Sequence, residues 1–219
     1  MAQDFERNLL TGVGTTPDDI PSGSDFNSDD TIIGINMANT SANAITASCF
    51  MTSSVLSYGS DFTFTVTVAG GAFILDGQTK PAITLYRGFT YIFDQSEGTN
   101  SGHQLAFKTG AGGSAYTTGV TNSGTLGQSG AKTTFVVASN APSSLIYYCT
   151  THGESMGNSI TISDVHYIIK DAPIPSGSAL QLLDGGAKMV VQSGDRMFFQ
   201  SNTASSLDVW VSRVDSIST

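Results

Sequence analysis

Short runs in which apolar and polar residues alternate recur along the chain of 219 residues, and each run ends at turn-forming residues. In "FTFTVTVAGGAFILDG" the residues Phe62, Phe64, Val66 and Val68 lie two positions apart. A period of two places alternate side chains on one face of a strand, so this pattern predicts a half-buried β-strand. No segment has the length and period of an amphipathic helix, and we therefore expect an all-β protein.

Composition and charge narrow the classes of partner. Charged residues make up 12% of the chain and glycine contributes 24 residues, which favours short strands joined by many turns. The formal net charge is −9, and the nine Lys and Arg residues are scattered. Binding to nucleic acid or to an anionic membrane surface needs clustered basic residues, so we expect neither partner.

The amino-terminal sequence and the apolar runs bear on localisation. The start, "MAQDFERNLL", lacks the apolar core of a signal peptide. No run approaches the roughly 18 apolar residues that span a bilayer. We therefore expect synthesis in a cytoplasm, with no signal peptide and no membrane insertion.

The order of strand patterns predicts one domain inserted into another. Residues 1–30 are dense in Pro, Gly, Ser and Asp and predict an extended, irregular arm. The outer portions, 1–57 and 164–219, are each too short to form a β domain alone. We expect them to form one outer β-sandwich together, with a second β domain, 58–163, inserted at a surface turn.

The stretch "YYCTTHGESMG" contains the strongest candidate for chemistry. Its Cys149, His152 and Met156 follow the pattern C-x2-H-x3-M, and a thiolate, an imidazole and a weak thioether are ligands of mononuclear copper. Such a site needs a second imidazole from a separate loop, and His103 in "NSGHQLAF" fits that role. We predict a plane of His103, Cys149 and His152, with Met156 as the long axial ligand.

Two alternatives to copper stay open for this cluster. The cysteine and the two histidines are also a ligand set for zinc, and the same residues can serve a purely structural role without metal. A c-type haem is excluded because C-x-x-C-H does not occur. The remaining cysteine, Cys49, is predicted to be a buried small apolar residue, and His166 a strand residue without a functional partner.

Motifs of common enzymes do not occur. The glycine-rich "GTLGQSG" lacks the Gly-Lys-Ser/Thr ending of a P-loop, and no G-x-S-x-G elbow is present. We therefore expect that the protein is not an enzyme.

At the ligand residues the middle of the chain resembles the cupredoxin family. The resemblance covers about 58–163 and runs from "RGFTYIFDQS" through His103 to "APSSLIYYCTTHGESMGNSITIS". It implies a Greek-key β-sandwich with copper bound by His103, Cys149, His152 and Met156. The chain departs from the family at Gln104, where an asparagine often steadies the copper loop, and in its glycine-rich insertions around 109–130.

The outer segments are similar to a second group, the small β-rich virion proteins of tailed phages, especially phages of marine bacteria. The similarity lies in "DDTIIGINMANTSANAITASCFM", in "KDAPIPSGS" and in "GGAKMVVQSGD". It implies a structural component of the virion, located at the neck, the tail or the capsid surface. Other virion proteins would be its partners, it would form a homo-oligomer, and the inserted domain would contact the host surface.

Two further functions compete with the virion hypothesis. A soluble type 1 copper electron-transfer protein with extra β segments predicts a monomer and a redox partner. A carbohydrate- or receptor-binding module predicts an exposed aromatic platform. The single tryptophan, Trp210 in "LDVWVSRV", lies in an alternating pattern that indicates ordinary strand packing.

Overall fold

The computed structural model of the protein describes residues 4–22, 24–52, 62–183 and 186–215. These residues form twenty β-strands and two short 3-10 helices and contain no α-helix, so the predicted all-β class is confirmed. No helix in the described part of the chain has the length and apolar character needed to cross a bilayer.

The strands in chain order are β1 (Asp4–Val13), β2 (Asp18–Ile20), β3 (Asp30–Asn39), β4 (Ile45–Thr52), β5 (Thr63–Ala69), β6 (Ala72–Leu75), β7 (Gln78–Thr79), β8 (Ile83–Tyr86), β9 (Thr90–Asp94), β10 (Leu105–Lys108), β11 (Ala115–Tyr116), β12 (Val120–Ser123), β13 (Lys132–Val136), β14 (Ser144–Cys149), β15 (Ser159–Ser163), β16 (His166–Ile174), β17 (Ala179–Leu183), β18 (Met189–Val191), β19 (Arg196–Ser201) and β20 (Leu207–Asp215). The 3-10 helices are Gly98–Asn100 and Glu154–Met156.

The chain divides into two compact units. The outer unit comprises Met1–Ser54 and Val165–Thr219, and the inserted unit comprises Val55–Asp164. The predicted division, 1–57 with 164–219 around 58–163, places its two boundaries three residues and one residue away from these.

The outer unit has two antiparallel sheets among its described residues. One has the order β1-β20-β3-β17, with β18 also paired to β3, and the other has the order β16-β4-β19-β2. Apolar side chains from both sheets form one core, which includes Ile32, Ile35, Val209 and Val211 from the first sheet and Ile45, Ala47, Met197 and Phe199 from the second. The two sheets therefore pack face to face as a sandwich.

The prediction of an irregular arm over residues 1–30 is wrong. Strand β1 pairs with β20 over most of its length, and β2 pairs with β19. The side chains of Val13, Ile20 and Phe26 are buried in the core of the outer unit. Because this segment is poor in apolar residues, much of its order depends on partners from the other end of the chain.

Two arginines of the carboxy-terminal strands provide those partners. Each is largely buried and holds two carboxylates: Arg196 those of Asp19 and Asp25, and Arg213 those of Glu6 and Asp30. A buried guanidinium needs such partners, and its forked donors fit carboxylates well. Arg196 lies 171 positions from Asp25, and Arg213 lies 207 positions from Glu6. Local composition predicts no contact over such separations.

The first sheet of the outer unit exposes apolar side chains. In β20 the residues Val209 and Val211 are buried, so Trp210 between them points outwards and is 44% exposed. The guanidinium of Arg7 lies 5.3 Å from the centroid of its ring. Trp210 is therefore a surface residue, as are three other large apolar residues of this sheet, Phe5, Leu9 and Val190.

The inserted unit also has two sheets, with the orders β11-β10-β14-β15-β8 and β12-β13-β9-β5-β6-β7. Two pairings are parallel, β15 with β8 and β5 with β9. Parallel neighbours need crossover connections, so the unit is not a simple meander. The glycine-rich insertions around 109–130 contain β11 and β12, which lie in different sheets.

Aromatic side chains fill the core of the inserted unit. The rings of Phe93 on β9 and Phe107 on β10 belong to different sheets, and their centroids lie 5.4 Å apart. Other fully buried rings are those of Phe64, Phe73, Tyr91, Phe135 and Tyr147. This dense packing gives the ends of β9, β10 and β14 a rigid base.

Candidate metal centre

The pairing of β10 with β14 brings the predicted ligands together. Leu105, the first residue of β10, lies opposite Cys149, the last residue of β14. His103 lies two positions before Leu105, and His152 lies three positions after Cys149. Antiparallel pairing places the start of one strand beside the end of its neighbour, so both histidines lie at the same end of the paired strands.

At this end of the strands the donor atoms of three side chains converge. The Sγ atom of Cys149 lies 3.8 Å from Nδ1 of His103 and 3.5 Å from Nδ1 of His152. The centroids of the two imidazole rings are 4.5 Å apart. One donor atom from each residue lies within 4.8 Å of the other two, and no other such group of three occurs in the described ranges.

These separations are those of ligands to one metal ion. Donor atoms about 2.0–2.3 Å from a common ion lie roughly 3.5–3.8 Å apart at angles of about 110–120°. The thiol of Cys149 is fully buried, His103 is half-buried and His152 is exposed. The three residues could therefore hold a metal ion at the border between the core and the solvent.

A tight turn follows Cys149. The N–H of Cys149 donates to the carbonyl of Gly153 at 3.2 Å, and the Gly153 N–H donates back to the Cys149 carbonyl at 2.8 Å. Gly153 has a φ of 85°, a left-handed conformation that glycine adopts at little cost. The turn fixes the position of His152 between these two residues.

Met156 lies in the same loop, in the 3-10 helix Glu154–Met156, and only 2% of it is exposed. The next residue, Gly157, runs close to β14. A Cβ atom at position 157 would lie 1.7 Å from the carbonyl oxygen of Tyr147. No side chain fits there unless the backbone moves, so Gly157 is needed for the path of the chain next to Met156.

The loop that carries His152 and Met156 is held from two sides. The carboxylate of Glu154 accepts from Lys108 Nζ at 2.7 Å and from the Gly112 N–H at 2.9 Å. These contacts, with the hydrogen bond from Lys108 first, keep the pKa of the Glu154 carboxyl below its usual range. From the other side, Lys80 Nζ donates to the carbonyl of Ser155 at 3.2 Å.

Gln104, where the chain departs from the cupredoxin pattern, links the two ligand segments through its backbone. Its carbonyl accepts from the Thr150 N–H at 3.0 Å. Its side-chain nitrogen points inwards and contacts Gln95 Oε1 at 2.9 Å and Thr133 Oγ1 at 2.7 Å. The side chain therefore supports the His103 segment from the core and makes no contact with the Cys149–Met156 loop among the described hydrogen bonds.

The structure thus places His103, Cys149 and His152 in one cluster and Met156 buried in the adjoining helix. Sequence reasoning did not identify Lys80, Lys108 or Gln95 as supports of this cluster. Glu154 lies inside the Cys-to-Met segment, so a charge at that position was a usable signal. For the other three no local pattern marks the role, because each acts through a contact between distant segments.

The donor set limits the metal without fixing it. One thiol and two imidazoles suit copper and zinc, whereas calcium and magnesium prefer oxygen ligands. No carboxylate belongs to the group. The residues therefore fit a borderline or soft metal ion.

Comparisons of the chain with protein-family models, with curated proteins and with solved structures find no match. Similarity therefore assigns no family to the chain. What the site can do follows from its residues and their geometry.

Proposed function

We propose that the inserted unit is a cupredoxin-like domain that binds a single copper ion through His103, Cys149 and His152, with Met156 as a weaker fourth ligand. The observation that carries this proposal is the convergence of one thiol sulfur and two imidazole nitrogens within 4.8 Å. A soft sulfur donor beside two imidazoles favours copper over the harder divalent ions. Bound copper would supply reversible one-electron chemistry.

The proposed ligands come from different parts of the inserted unit. Cys149 sits at the end of a strand and offers its sulfur from the core. His103 and His152 belong to separate segments, and each turns Nδ1 towards that sulfur. An ion bound by all three would tie the two segments together and stabilise the folded unit by mass action.

The copper proposal is tested by an absorption spectrum of the purified protein after addition of Cu(II). A thiolate-to-copper band that Cys149→Ser removes is the expected result. His152→Ala should also remove it, whereas His166→Ala, which changes an exposed histidine of the outer unit, should leave it intact. No band, with no difference between wild type and Cys149→Ser, would contradict the proposal.

Zinc bound by the same cysteine and histidines is the second candidate. Met156 separates the two metals, because a zinc site needs no thioether ligand. If the site is for copper, Met156→Leu should shift the copper absorption band or the reduction potential. If the site is for zinc, Met156→Leu should retain the wild-type affinity for zinc. Wild type should then bind zinc but form no thiolate-to-copper band when Cu(II) is added.

We further propose that the whole protein is a structural component of a tailed-phage virion, at the neck, the tail or the capsid surface. The strand-and-turn patterns of the outer segments, which resemble those of small virion proteins, are the sequence observation behind this proposal. The ten-residue strand β1 at the border of its sheet and the exposed side chains of Phe5, Leu9 and Trp210 also support it. Edge strands and exposed apolar residues of this kind are commonly covered by assembly.

In this proposal the chain is made in the host cytoplasm and joins other virion proteins as a homo-oligomer, while the inserted unit contacts the host surface. The alternative is a soluble type 1 copper electron carrier. Size measurement of the purified protein, combined with a redox titration, separates the two. A ring or trimer supports the virion proposal, whereas a monomer with a reversible one-electron titration contradicts it.

A further inference from the structure

A fully buried glutamine, Gln95, forms hydrogen bonds with the segment that carries His103, the first histidine of the candidate metal centre. Gln95 follows β9 directly and none of its surface is exposed. Its Nε2 donates to the carbonyl of His103 at 2.7 Å, and its Oε1 accepts from the Leu105 N–H at 3.3 Å. One amide group therefore holds this segment at two points, with its donor on one side and its acceptor on the other.

The backbone of Gln95 is fixed as firmly as its side chain. Its N–H donates to the carbonyl of Ala131 at 2.8 Å, and its carbonyl accepts from the Gly127 N–H at 3.0 Å. The Gln95 amide thus starts from a defined position in the core. Because its own backbone cannot shift freely, its two side-chain bonds define where His103 and Leu105 lie.

Other buried polar groups hold the amide of Gln95 in one orientation. Thr133 and Asn100 are fully buried. The Thr133 hydroxyl lies 3.1 Å from Gln95 Oε1, and Asn100 Oδ1 lies 3.4 Å from Gln95 Nε2. Asn100 in turn donates to the Val66 carbonyl at 2.7 Å. A connected and satisfied network of this kind is rigid, because each buried group that lost its partner would carry a desolvation penalty.

The hold extends from Gln95 to the cysteine. The residue between the two points that Gln95 holds is Gln104, and its carbonyl accepts from the N–H of Thr150, which follows Cys149. The position of the His103 segment is therefore transmitted to the loop that carries the other ligands. In the part of the chain that the structure describes, Gln95 makes no hydrogen bond to a donor atom of the cluster, so its effect is on position.

We propose that Gln95 is a positioning residue of the metal centre, which holds His103 and, through Gln104 and Thr150, Cys149 in a ligating arrangement before any metal binds. The inference rests on the proposed metal binding of the inserted unit. The positioning role requires an amide side chain, because a carboxylate at position 95 cannot donate to the His103 carbonyl and a hydrocarbon can neither donate nor accept.

The test compares Gln95→Glu and Gln95→Met with a matched control, Tyr91→Phe. Tyr91 lies four positions earlier on β9, and its hydroxyl accepts from the Tyr86 N–H at 3.0 Å in the core. The control thus also removes a buried hydrogen bond from the inserted unit. Thr133→Val removes one partner of the Gln95 amide, together with the contacts of the Thr133 hydroxyl to Gln104 Nε2 and to the Leu105 carbonyl. It weakens the same network without changing Gln95 and keeps the test available if both Gln95 variants fail to fold.

Cu(II) affinity is measured by competition with a chelator, together with the thiolate-to-copper absorption band and the thermal midpoint of each variant. We expect Gln95→Glu and Gln95→Met to lose affinity by roughly 10- to 100-fold and to shift the band, as when a support of a ligand is removed. Thr133→Val should show a smaller loss. Tyr91→Phe should lower the thermal midpoint but keep the affinity and the band of wild type.

Wild-type affinity and an unshifted band in folded Gln95 variants would overturn the inference. If wild type itself binds no copper, the proposed function fails, and amide hydrogen exchange of the metal-free protein decides about Gln95. Exchange at Leu105 and Thr150 should then be about tenfold faster in the Gln95 variants than in wild type, the change expected for a lost buried hydrogen bond. Unchanged exchange would overturn the inference.

Discussion

The two units of this protein place polar groups inside β-sandwiches in opposite ways. The outer unit buries charges, among them Arg213 against Asp30. The inserted unit buries neutral groups, those of Gln95, Asn100 and Thr133. In the outer unit the buried charges connect distant ends of the chain, and in the inserted unit the neutral groups support the segments of the candidate metal centre.

The difference teaches which interaction suits which task. A buried ion pair is strongly destabilised when one partner is lost, so it specifies which segments meet. A neutral amide donates and accepts at defined angles and adds no charge next to a metal centre. We therefore expect damage to the ion pairs to appear in stability, and damage to the amide network to appear in metal binding.

The largest effect on stability is expected from Arg213→Ala. The variant leaves the carboxylate of Asp30 buried without its guanidinium partner, and the expected loss is about 3–5 kcal/mol in the free energy of unfolding. Urea unfolding followed by circular dichroism measures this loss. The matched control is Asp164→Asn, which removes an ion pair to Arg87 whose carboxylate side chain is 80% exposed. The control should cost at most about 1 kcal/mol, and equal losses in both variants would contradict the comparison.

A smaller loss, combined with a loss of metal binding, is expected from Gly157→Ala. The added Cβ would lie 1.7 Å from the Tyr147 carbonyl oxygen, so the backbone beside Met156 must move. We expect a cost of about 1–3 kcal/mol in unfolding free energy and weaker Cu(II) binding in a chelator competition. Gly98→Ala is the control, because a Cβ at that position meets no atom within 4 Å. A wild-type copper site in Gly157→Ala would show that the path of this loop is unimportant.

The two cysteines allow the comparison to be made with the same change, cysteine to serine, once in each unit. Cys49 is fully buried in the outer core, and burial raises the pKa of its thiol, so it behaves as an apolar residue. Cys49→Ser should cost about 1–3 kcal/mol by burying a hydroxyl without a partner, with unchanged copper binding. Cys149→Ser should abolish the copper band with a smaller loss of stability. Unfolding curves and spectra of both variants test this, and the reverse pattern would contradict it.

The sequence allowed the all-β class to be predicted because alternation is a local property. Phe64 and Val66, two positions apart on β5, are both buried. The convergence of three side chains was also predictable, since Cys149 and His152 are close in sequence and His103 was the histidine available in a neighbouring loop. In each case the physical cause lies within a few residues or in the chemistry of a rare residue type.

What could not be predicted depends on contacts between distant segments. Residues 4–13 have the composition of a loose arm, yet they form β1 against β20, and Glu6 meets Arg213 across 207 positions. Gln95 is a polar residue at the end of a strand, and nothing around it in the sequence marks it as buried. A polar side chain can be buried only where hydrogen-bond partners surround it, and in this case the partners come from segments that only folding brings close.

The smallest predicted effect concerns the ion pair on the loop from Cys149 to Met156. Glu154→Gln keeps the size of the side chain but removes the charge that contacts Lys108 Nζ at 2.7 Å. We expect copper to leave about two- to fivefold faster, because the pair is only half-buried and ion pairs open to solvent contribute little. Lys80 and the Cys149–Gly153 bridge also still hold the loop. Stopped-flow transfer of copper to a chelator measures the rate, with Asp164→Asn as the control that removes an exposed ion pair elsewhere.

Salt separates the contribution of charge from that of shape. High ionic strength screens a half-buried pair in part. The wild-type rate of copper release should therefore rise with salt part of the way towards the rate of Glu154→Gln, while the variant itself responds little. A loss as large as that of Gly157→Ala, with no dependence on salt, would mean that the Glu154 carboxylate positions the loop through its hydrogen bond to Gly112. In that case a charged group, like the ion pairs of the outer unit, would help to define the ligand geometry, and the contrast between the two units would be weaker.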